Sequence, residues 1–125
     1  MQMTMKVKGK VDRKELAKAF RSICLGIYKD VILGTPVDTG RARGNWQIAV
    51  GVPPREEITR KERGGATNQM NEAKSKINRP MAGKSVFMAN NVGYIMKLEE
   101  GHSVQSRGFI TRAMKRAEAR VLNID

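Results

Sequence analysis

The residue types that could carry out catalysis are few and scattered in this chain. It has one histidine, His102, and one cysteine, Cys24, far apart in sequence. A cysteine nucleophile needs an activated thiolate, whereas the flanking Ile23 and Leu25 favour burial of an inert thiol. A Ser-His-Asp arrangement stays open, because its members need not be neighbours in sequence, but no serine lies in a turn typical of a strained nucleophile. We therefore expect no enzymatic activity, and a loop hydrogen bond or an interface contact for His102.

The sequence does not favour a metal site either. One histidine and one cysteine cannot build a zinc cage. Glu99 and Glu100 could offer carboxylates, but adjacent residues of a helix point to different faces, so a charge pair at a helix end is the better interpretation. We expect no metal and no cofactor.

Two glycine-containing stretches invite comparison with phosphate-binding loops. "GTPVDTGRARGN" has glycines at 34, 40 and 44, which fit neither the dinucleotide fingerprint nor the P-loop. "AGKS", residues 82–85, ends like a P-loop, but Asn78 stands where the first glycine belongs, and a strand rather than a helix should follow. Neither stretch predicts nucleotide hydrolysis.

The charge balance favours a polyanionic partner. Lysine and arginine outnumber aspartate and glutamate by 24 to 12, which gives a net charge of +12. Basic residues occur in every third of the chain, so the charge belongs to the folded body as much as to any arm. Nucleic acid, a phosphate-rich surface or an acidic protein would suit it, and so would a small basic protein with no nucleic-acid role.

Length and composition predict one domain with a modest core. The 125 residues correspond to a single domain over residues 1–125, and only 5% of them are aromatic, so aliphatic residues and methionine must fill the interior. Self-association could supply the missing burial. The single cysteine suits a reducing compartment, and we expect neither a secretion signal nor a membrane span, because no apolar run is long enough.

The elements that must position these residues begin with a strand-like stretch and a long helix. "MTMKVKGKV" alternates apolar and polar residues, which fits either an edge strand or a flexible basic arm. In the next segment Asp12 and Glu15 form a capping box, and we expect Gly34 to be the left-handed residue that ends the helix, followed by Pro36. One apolar stripe at helical spacing comprises Leu16, Ala19, Phe20, Ile23, Ile27 and Val31.

The second half alternates strands and helices. "NWQIAVGV" and "KSVFMANNVGY" read as strands, with a turn supplied by "NN" and Gly93. "YIMKLEEG" predicts a short helix that packs through Tyr94, Met96 and Leu98. The closing helix should pack through Phe109, Ala113, Met114, Ala117 and Val121, with a basic opposite face.

Residues 53–84 form a long excursion between the strands. They are highly charged and poor in large apolar residues, although "ATNQMNEAKSKI" could form a short helix. Because a structureless loop of this length is unusual in a compact domain, we expect an extended hairpin or arm that orders only against partners. The element order predicts an α+β fold, with a small, mostly antiparallel sheet covered by a long N-terminal helix and a C-terminal helix.

At this point "TPVDTGRARGNW" resembles a known family. A helix ending in "TPVDTG", then a basic residue and a strand beginning near tryptophan, is similar to the tail-completion, or neck, proteins that join heads to tails in long-tailed bacteriophages. The matching features of the second half are Asn90-Asn91, Tyr94, Glu99-Glu100-Gly101-His102 and Gly108-Phe109. The resemblance covers roughly residues 12–117, and it departs at Gln105-Ser106-Arg107, where the family often has Ala-Pro or Gln-Pro.

The resemblance implies a non-enzymatic virion protein. Such proteins form a ring, commonly six-fold, between the head-side connector or adaptor and the tail terminator or tail tube, and genomic DNA passes through the lumen. The chain would then be located in the virion neck after assembly in the host cytoplasm, with no membrane partner. A closed ring would also bury sheet edges and the excursion.

Two groups of residues follow as candidates. Those expected at assembly interfaces are Asp38, Thr39, Gly40, Arg41, Arg43, Trp46, Glu99, Glu100, Gly101 and His102. Physically, Asp38 can accept from nearby backbone N–H groups and Gly40 can take a positive φ, which gives a rigid turn. Arg41 or Arg43 could then pair with Glu99 or Glu100, within one subunit or across to its neighbour.

A second group could face DNA. Its members, from the excursion and the closing helix, are Arg55, Arg60, Lys61, Arg63, Arg112, Lys115, Arg116 and Arg120. No convincing helix-turn-helix is present and few aromatics could stack bases, so the charge supports only non-specific contact. A small basic, non-specific DNA-binding protein is therefore the alternative function.

Overall fold

Three short strands form one antiparallel sheet. The structure, a computed structural model, describes residues 2–6, 14–37, 39–77, 85–100 and 108–121, with the side chains of residues 5–6, 14–17, 98–100, 109 and 117–121 outside that description. Strand β1 is Gln2–Lys6, β2 is Trp46–Val50 and β3 is Ser85–Asn90. β3 lies in the middle and pairs antiparallel with both neighbours. The N-terminal alternation is therefore an edge strand rather than an arm.

Helices cover this sheet as the sequence predicted. In the described residues they are α1 (Lys14–Gly34), α2 (Arg41–Gly44), α3 (Thr67–Lys76), α4 (Ile95–Glu100) and α5 (Phe109–Val121). α1 packs against both α5 and α3, and α3 also contacts β2. The α+β fold is confirmed, because a long first helix and a closing helix pack beside a small antiparallel sheet. No described helix is both long and apolar enough to cross a membrane.

The core lies between the sheet and α1. Met3, Met88 and Ile48 stand opposite one another on the three strands and form one buried row. Trp46 and Tyr28 are the largest side chains that are fully buried among the described residues. The stripe predicted for α1 is confirmed at Ile23, Ile27 and Val31, which are buried, and it is half-buried at Ala19 and Phe20. Residues outside the predicted stripe are buried as well, namely Cys24, Tyr28 and Ile32. Burial of these aliphatic groups is the main stabilising term for the fold.

The end of α1 differs from the prediction for Gly34. The described glycines with positive φ are Gly40, Gly51 and Gly108, so Gly34 completes the helix without a left-handed turn. The helix ends because the Thr35 N–H bonds to the Ile32 carbonyl at 3.2 Å and Pro36 then has no N–H to continue the ladder. The capping box at the other end lies outside the described residues and side chains.

Among the described side chains, the last two helices pack partly through other residues than predicted, whereas the predicted Leu98, Phe109, Ala117 and Val121 lie outside that description. Among the described side chains of α4, Ile95 is buried, whereas Met96 is 44% exposed. In α5 Ile110 and Ala113 are buried, whereas Met114 is 47% exposed. Of the predicted residues whose side chains are described, Ala113 is buried and Tyr94 is half-buried, whereas Met96 and Met114 are exposed. The apolar residues of each helix stand side by side in sequence, so spacing does not decide which one faces inward.

The excursion packs on its own subunit over residues 53–77. It runs from β2 back across α2 and then forms α3, whose Ala73 lies in the core with Ile77 just beyond. The short helix is thus confirmed, but the expected extended hairpin or arm is wrong for these residues. Buried backbone groups need partners, and this segment finds them within the subunit, for example Ile58 N–H on the Asn45 side chain at 2.7 Å. Residues 78–84 lie outside the described residues.

Candidate functional site

The segment of residues 35–46, here called the arginine turn, is closed at its base by one buried hydrogen-bond pair. The Thr35 hydroxyl donates to the Val31 carbonyl at 2.6 Å and accepts from the Trp46 indole N–H at 2.8 Å. Both residues are fully buried. The end of α1 and the start of β2 are therefore joined directly, and the residues between them must fold into a tight turn. The strand start predicted at Trp46 is confirmed.

Two glycines bring the excursion close to this turn. Gly40 has a φ of +85°, which confirms the positive φ expected there. Its carbonyl accepts from the N–H groups of Gly44 and Glu62, each at 2.9 Å. A Cβ on Gly44 would lie 2.8 Å from the Arg60 carbonyl carbon, so only glycine allows this approach. Thr39 supports the turn by accepting from the Arg41 N–H at 3.2 Å, and Asp38 lies outside the described residues.

Arg43 ties the end of α1 to the excursion. Its guanidinium donates to the carbonyls of Leu33 and Thr35 at 3.0 Å each, and to that of Gly64 at 2.9 Å. Carbonyls at the C-terminus of a helix lack partners within the helix and carry partial negative charge, so a cation is favourable there. Burial lowers the pKa of the Arg43 guanidinium, and Glu62 acts in the opposite direction. Arg43 therefore holds backbone segments of its own subunit together.

Arg41 lies on the exposed side of the arginine turn. It forms a salt bridge with Glu57, and its guanidinium carbon lies 5.6 Å from the centre of the Tyr94 ring. The side chain stays 48% exposed. The expected pairing of Arg41 or Arg43 with Glu99 or Glu100 is untested, because those two carboxylates lie outside the described side chains, as do Gly101 and His102 altogether.

Three asparagines join the turn, the end of β3 and the excursion to one another. Asn45, fully buried, accepts from the Ile58 N–H at 2.7 Å and donates to the Arg41 carbonyl at 2.8 Å. Asn90 donates to the Ala42 carbonyl at 2.7 Å, and Asn91 donates to carbonyls of the excursion. Asn90 thus anchors the turn to β3, and Asn91 anchors the excursion there. Asn45 was missed in the sequence, where only its place just before a buried strand could have singled it out.

The free edge of β2 is covered by side-chain donors. The Trp46 carbonyl accepts from the Tyr28 hydroxyl and the Arg60 guanidinium, both at 2.8 Å, and from the Gln69 amide at 3.1 Å. Lys76 donates to the next outward carbonyl, that of Ile48, at 3.0 Å. An edge strand with its carbonyls occupied is a poor template for another chain.

Glu72 links two of these donors. It forms salt bridges with Arg60 at 2.9 Å and with Lys76 at 3.0 Å. Burial acts to raise the pKa of Glu72, but Lys76 and Arg60 together outweigh it and the pKa is lowered. Arg60, predicted to face DNA, is thus occupied by partners within the subunit.

The other candidates for DNA contact lie mainly at the surface. Exposed side chains are those of Arg55, Lys61, Arg63, Arg112, Lys115 and Arg116, whereas that of Arg120 is outside the description. Arg116 forms a salt bridge with Asp30 of α1 at 3.2 Å, and Arg63 donates to the Thr39 carbonyl at 3.2 Å.

Cys24 is fully buried, as expected for an unreactive thiol. Burial raises the pKa of this thiol to about 12, so it remains protonated near neutral pH. The described residues contain no cluster of three or more His, Cys, Asp or Glu side chains that could hold a metal ion. What the described site offers is a set of rigid turns with charged side chains at the surface. No known protein family, curated protein or solved structure matches this chain.

Proposed function

We propose that this chain is a structural protein of the bacteriophage neck. It forms a homo-oligomeric ring, of six subunits in the form that the resemblance implies, which completes the tail and joins it to the connector or adaptor of the head. Its other neighbour is the tail terminator or tail tube protein. Genomic DNA passes through the lumen without sequence-specific contact, and the protein needs no cofactor.

One observation supports this proposal above the others. Two of the stretches that carry the resemblance, residues 35–46 and 90–94, are far apart in sequence but meet in the fold. Asn90 bonds to the Ala42 carbonyl and Arg41 lies over the Tyr94 ring. These two motifs therefore form one contiguous unit of the fold, as expected if they act together at one surface.

The build of the arginine turn suits an assembly surface. Thr35, Trp46, Arg43 and Asn45 are occupied with internal hydrogen bonds, and they hold the backbone in one conformation. Arg41 projects from this backbone segment, and about half of its side chain is exposed. A side chain presented by a rigid element loses less entropy on binding than one on a flexible loop, which favours a specific protein contact.

Electron microscopy of virions made without this protein tests the proposal. We expect full heads and complete-looking tails that remain separate, and we expect added purified protein to restore joining. Heads and tails that join normally in its absence would contradict a role in the neck. The alternative, a non-specific DNA-binding protein, predicts tight binding to duplex DNA with a steep dependence on salt and no effect on joining.

A further inference from the structure

A groove runs between α1 and α3. Its volume is about 370 Å³. Leu25 and Lys29 line it from α1, and Met70 and Lys74 line it from α3. Leu25 and Met70 are half-buried and pack against the hydrophobic core, so the groove has apolar walls continuous with the interior and lysines beside them.

The charge in this groove is one-sided. None of the described residues that line it is acidic, and both lysines are exposed with no described carboxylate within ion-pair distance. Nearby acids are engaged elsewhere, Asp30 with Arg116 of α5, and Glu72 with Arg60 and Lys76. An occupant that combines negative charge with an aliphatic side chain would be complementary to this surface.

The chain carries such a combination on α4. Met96 is 44% exposed, unlike its buried neighbour Ile95. Glu99 and Glu100 follow three and four positions later in the same helix, the spacing at which positions adjoin on a helix surface. Lys97 is the one basic residue of α4, so the helix has an excess of negative charge and an exposed apolar residue.

The order of the helices separates these two surfaces. α4 packs on α5, α5 packs on α1, and α1 packs on α3. The groove, which α1 and α3 line, and α4 are therefore two different surfaces of the subunit. A contact between two different surfaces of identical subunits is heterologous, and it generates a ring when the rotation between subunits closes.

We propose that α4 of one subunit docks into the α1–α3 groove of the next. Met96 enters between Leu25 and Met70, and Glu99 and Glu100 pair with Lys29 and Lys74. This interface rests on the proposed ring and identifies the surfaces that build it. It also assigns the two glutamates to partners other than Arg41 and Arg43, which are already occupied by Glu57 and by backbone carbonyls.

Charge reversal tests this interface on the full chain. Assembly of the wild type is first measured by analytical ultracentrifugation from micromolar to millimolar concentration. The variants Lys29→Glu/Lys74→Glu and Glu99→Lys/Glu100→Lys should each need at least tenfold more protein to assemble. An equimolar mixture of the two should assemble again, because every α4 then meets a groove of opposite charge. Lys61→Glu/Lys115→Glu is the matched control, with the same change of charge at exposed residues outside the groove, and it should assemble like the wild type.

The possible outcomes separate the two proposals. A wild type that stays monomeric throughout this range would contradict the proposed ring, and the interface with it. A wild type that assembles while both charge-reversed variants assemble equally well would overturn the interface alone. Normal assembly of Lys29→Glu/Lys74→Glu combined with loss of DNA binding would also overturn the interface, and would indicate that the groove binds nucleic acid.

Crosslinking provides a measurement that does not depend on charge. A Met70→Cys/Met96→Cys variant should form crosslinks between different chains with a short bismaleimide, because the proposal brings these positions together across the interface. Cys24 is fully buried and should not react. The control is a Met70→Cys/Met114→Cys variant, because Met114 is exposed on α5 but lies outside the proposed interface. This variant should give few crosslinks between chains.

Discussion

Arg41 and Arg43 are two positions apart, yet their surroundings give them different roles. Arg43 points along the end of α1 and donates to carbonyls from two segments of the chain. Arg41 points outward and pairs with Glu57 at the surface. An exposed pair contributes little to stability, about 0–1 kcal/mol, whereas a guanidinium that satisfies several carbonyls leaves all of them unpaired when it is removed.

Replacing Arg43 by lysine should therefore destabilise the fold. An ammonium is a point charge that cannot reproduce the planar fork of donors that reaches three carbonyls. We expect the free energy of unfolding, measured with urea, to fall by about 1–3 kcal/mol. Arg55→Lys, at an exposed residue of the excursion, is the matched control and should stay within about 0.5 kcal/mol of the wild type. Equal effects at both positions would contradict the role given to Arg43.

Cys24 should make stability depend on pH in the alkaline range. Its folded-state pKa is raised from 9.0 to about 12 by burial, so the folded state keeps the proton that the unfolded state releases. The contribution is present in full below pH 9 and is lost as the pH rises from 9 towards 12. Between pH 8 and pH 10 the wild type should lose about 1 kcal/mol more than Cys24→Ala in urea unfolding. The burial-raised pKa of Tyr28 is common to both proteins and cancels in the comparison.

At the scale of elements, α2 and the excursion meet backbone to backbone. Gly44 belongs to α2, where alanine would normally be the better helix former by about 1 kcal/mol. A Cβ at this position would instead collide with the carbonyl of Arg60. The close approach of the two backbones, rather than helix propensity, therefore explains why this position is a glycine.

Gly44→Ala should destabilise the protein by about 1–3 kcal/mol, as expected for overpacking against backbone that cannot move aside. Thermal unfolding followed by circular dichroism would measure it. Gly93→Ala is the control, because a Cβ there meets nothing within 4 Å and the backbone is not left-handed. Gly93→Ala should leave the midpoint nearly unchanged or raise it slightly. A Gly44→Ala protein as stable as the wild type would show that the segment around Arg60 shifts readily.

Local patterns predicted the elements well, and they failed where distant partners decide. Alternation at Trp46 and Ile48 and the helical stripe of α1 depend on neighbours in sequence, so they could be read directly. The burial of Asn45 and Gln69 could not be predicted from the sequence, because it depends on carbonyls and N–H groups that only the folded chain brings near them. The course of residues 53–65 was missed for the same reason, since hydrogen bonds rather than large apolar residues hold it in place.

The inward faces of α4 and α5 show a second limit. Each helix offers adjacent apolar residues, and a helix of six residues such as α4 has too few positions for a stripe to emerge. Met96 and Met114, which were predicted to face inward but are exposed, matter at the scale of the whole molecule. They leave flexible apolar side chains at the surface of a subunit that has few aromatic residues in its core, and association would bury Met96 in the interface proposed above.

Stability should consequently depend on protein concentration. Binding that favours the folded state adds about 1.4 kcal/mol for each tenfold rise in concentration above the dissociation constant. For a chain of this size that corresponds to a rise of roughly 5 °C in the melting temperature. In calorimetry of the wild type, we expect a rise of this size for each tenfold increase in concentration between about 10 and 1,000 μM. The Lys29→Glu/Lys74→Glu variant should melt at one temperature throughout this range. At the lowest concentration the two proteins should agree, because the groove lysines form no ion pair with a described carboxylate. A wild-type midpoint that does not change with concentration would mean that the folded subunit gains no stability from its neighbours. A ring at the phage neck requires such a gain, so this result would contradict the proposal.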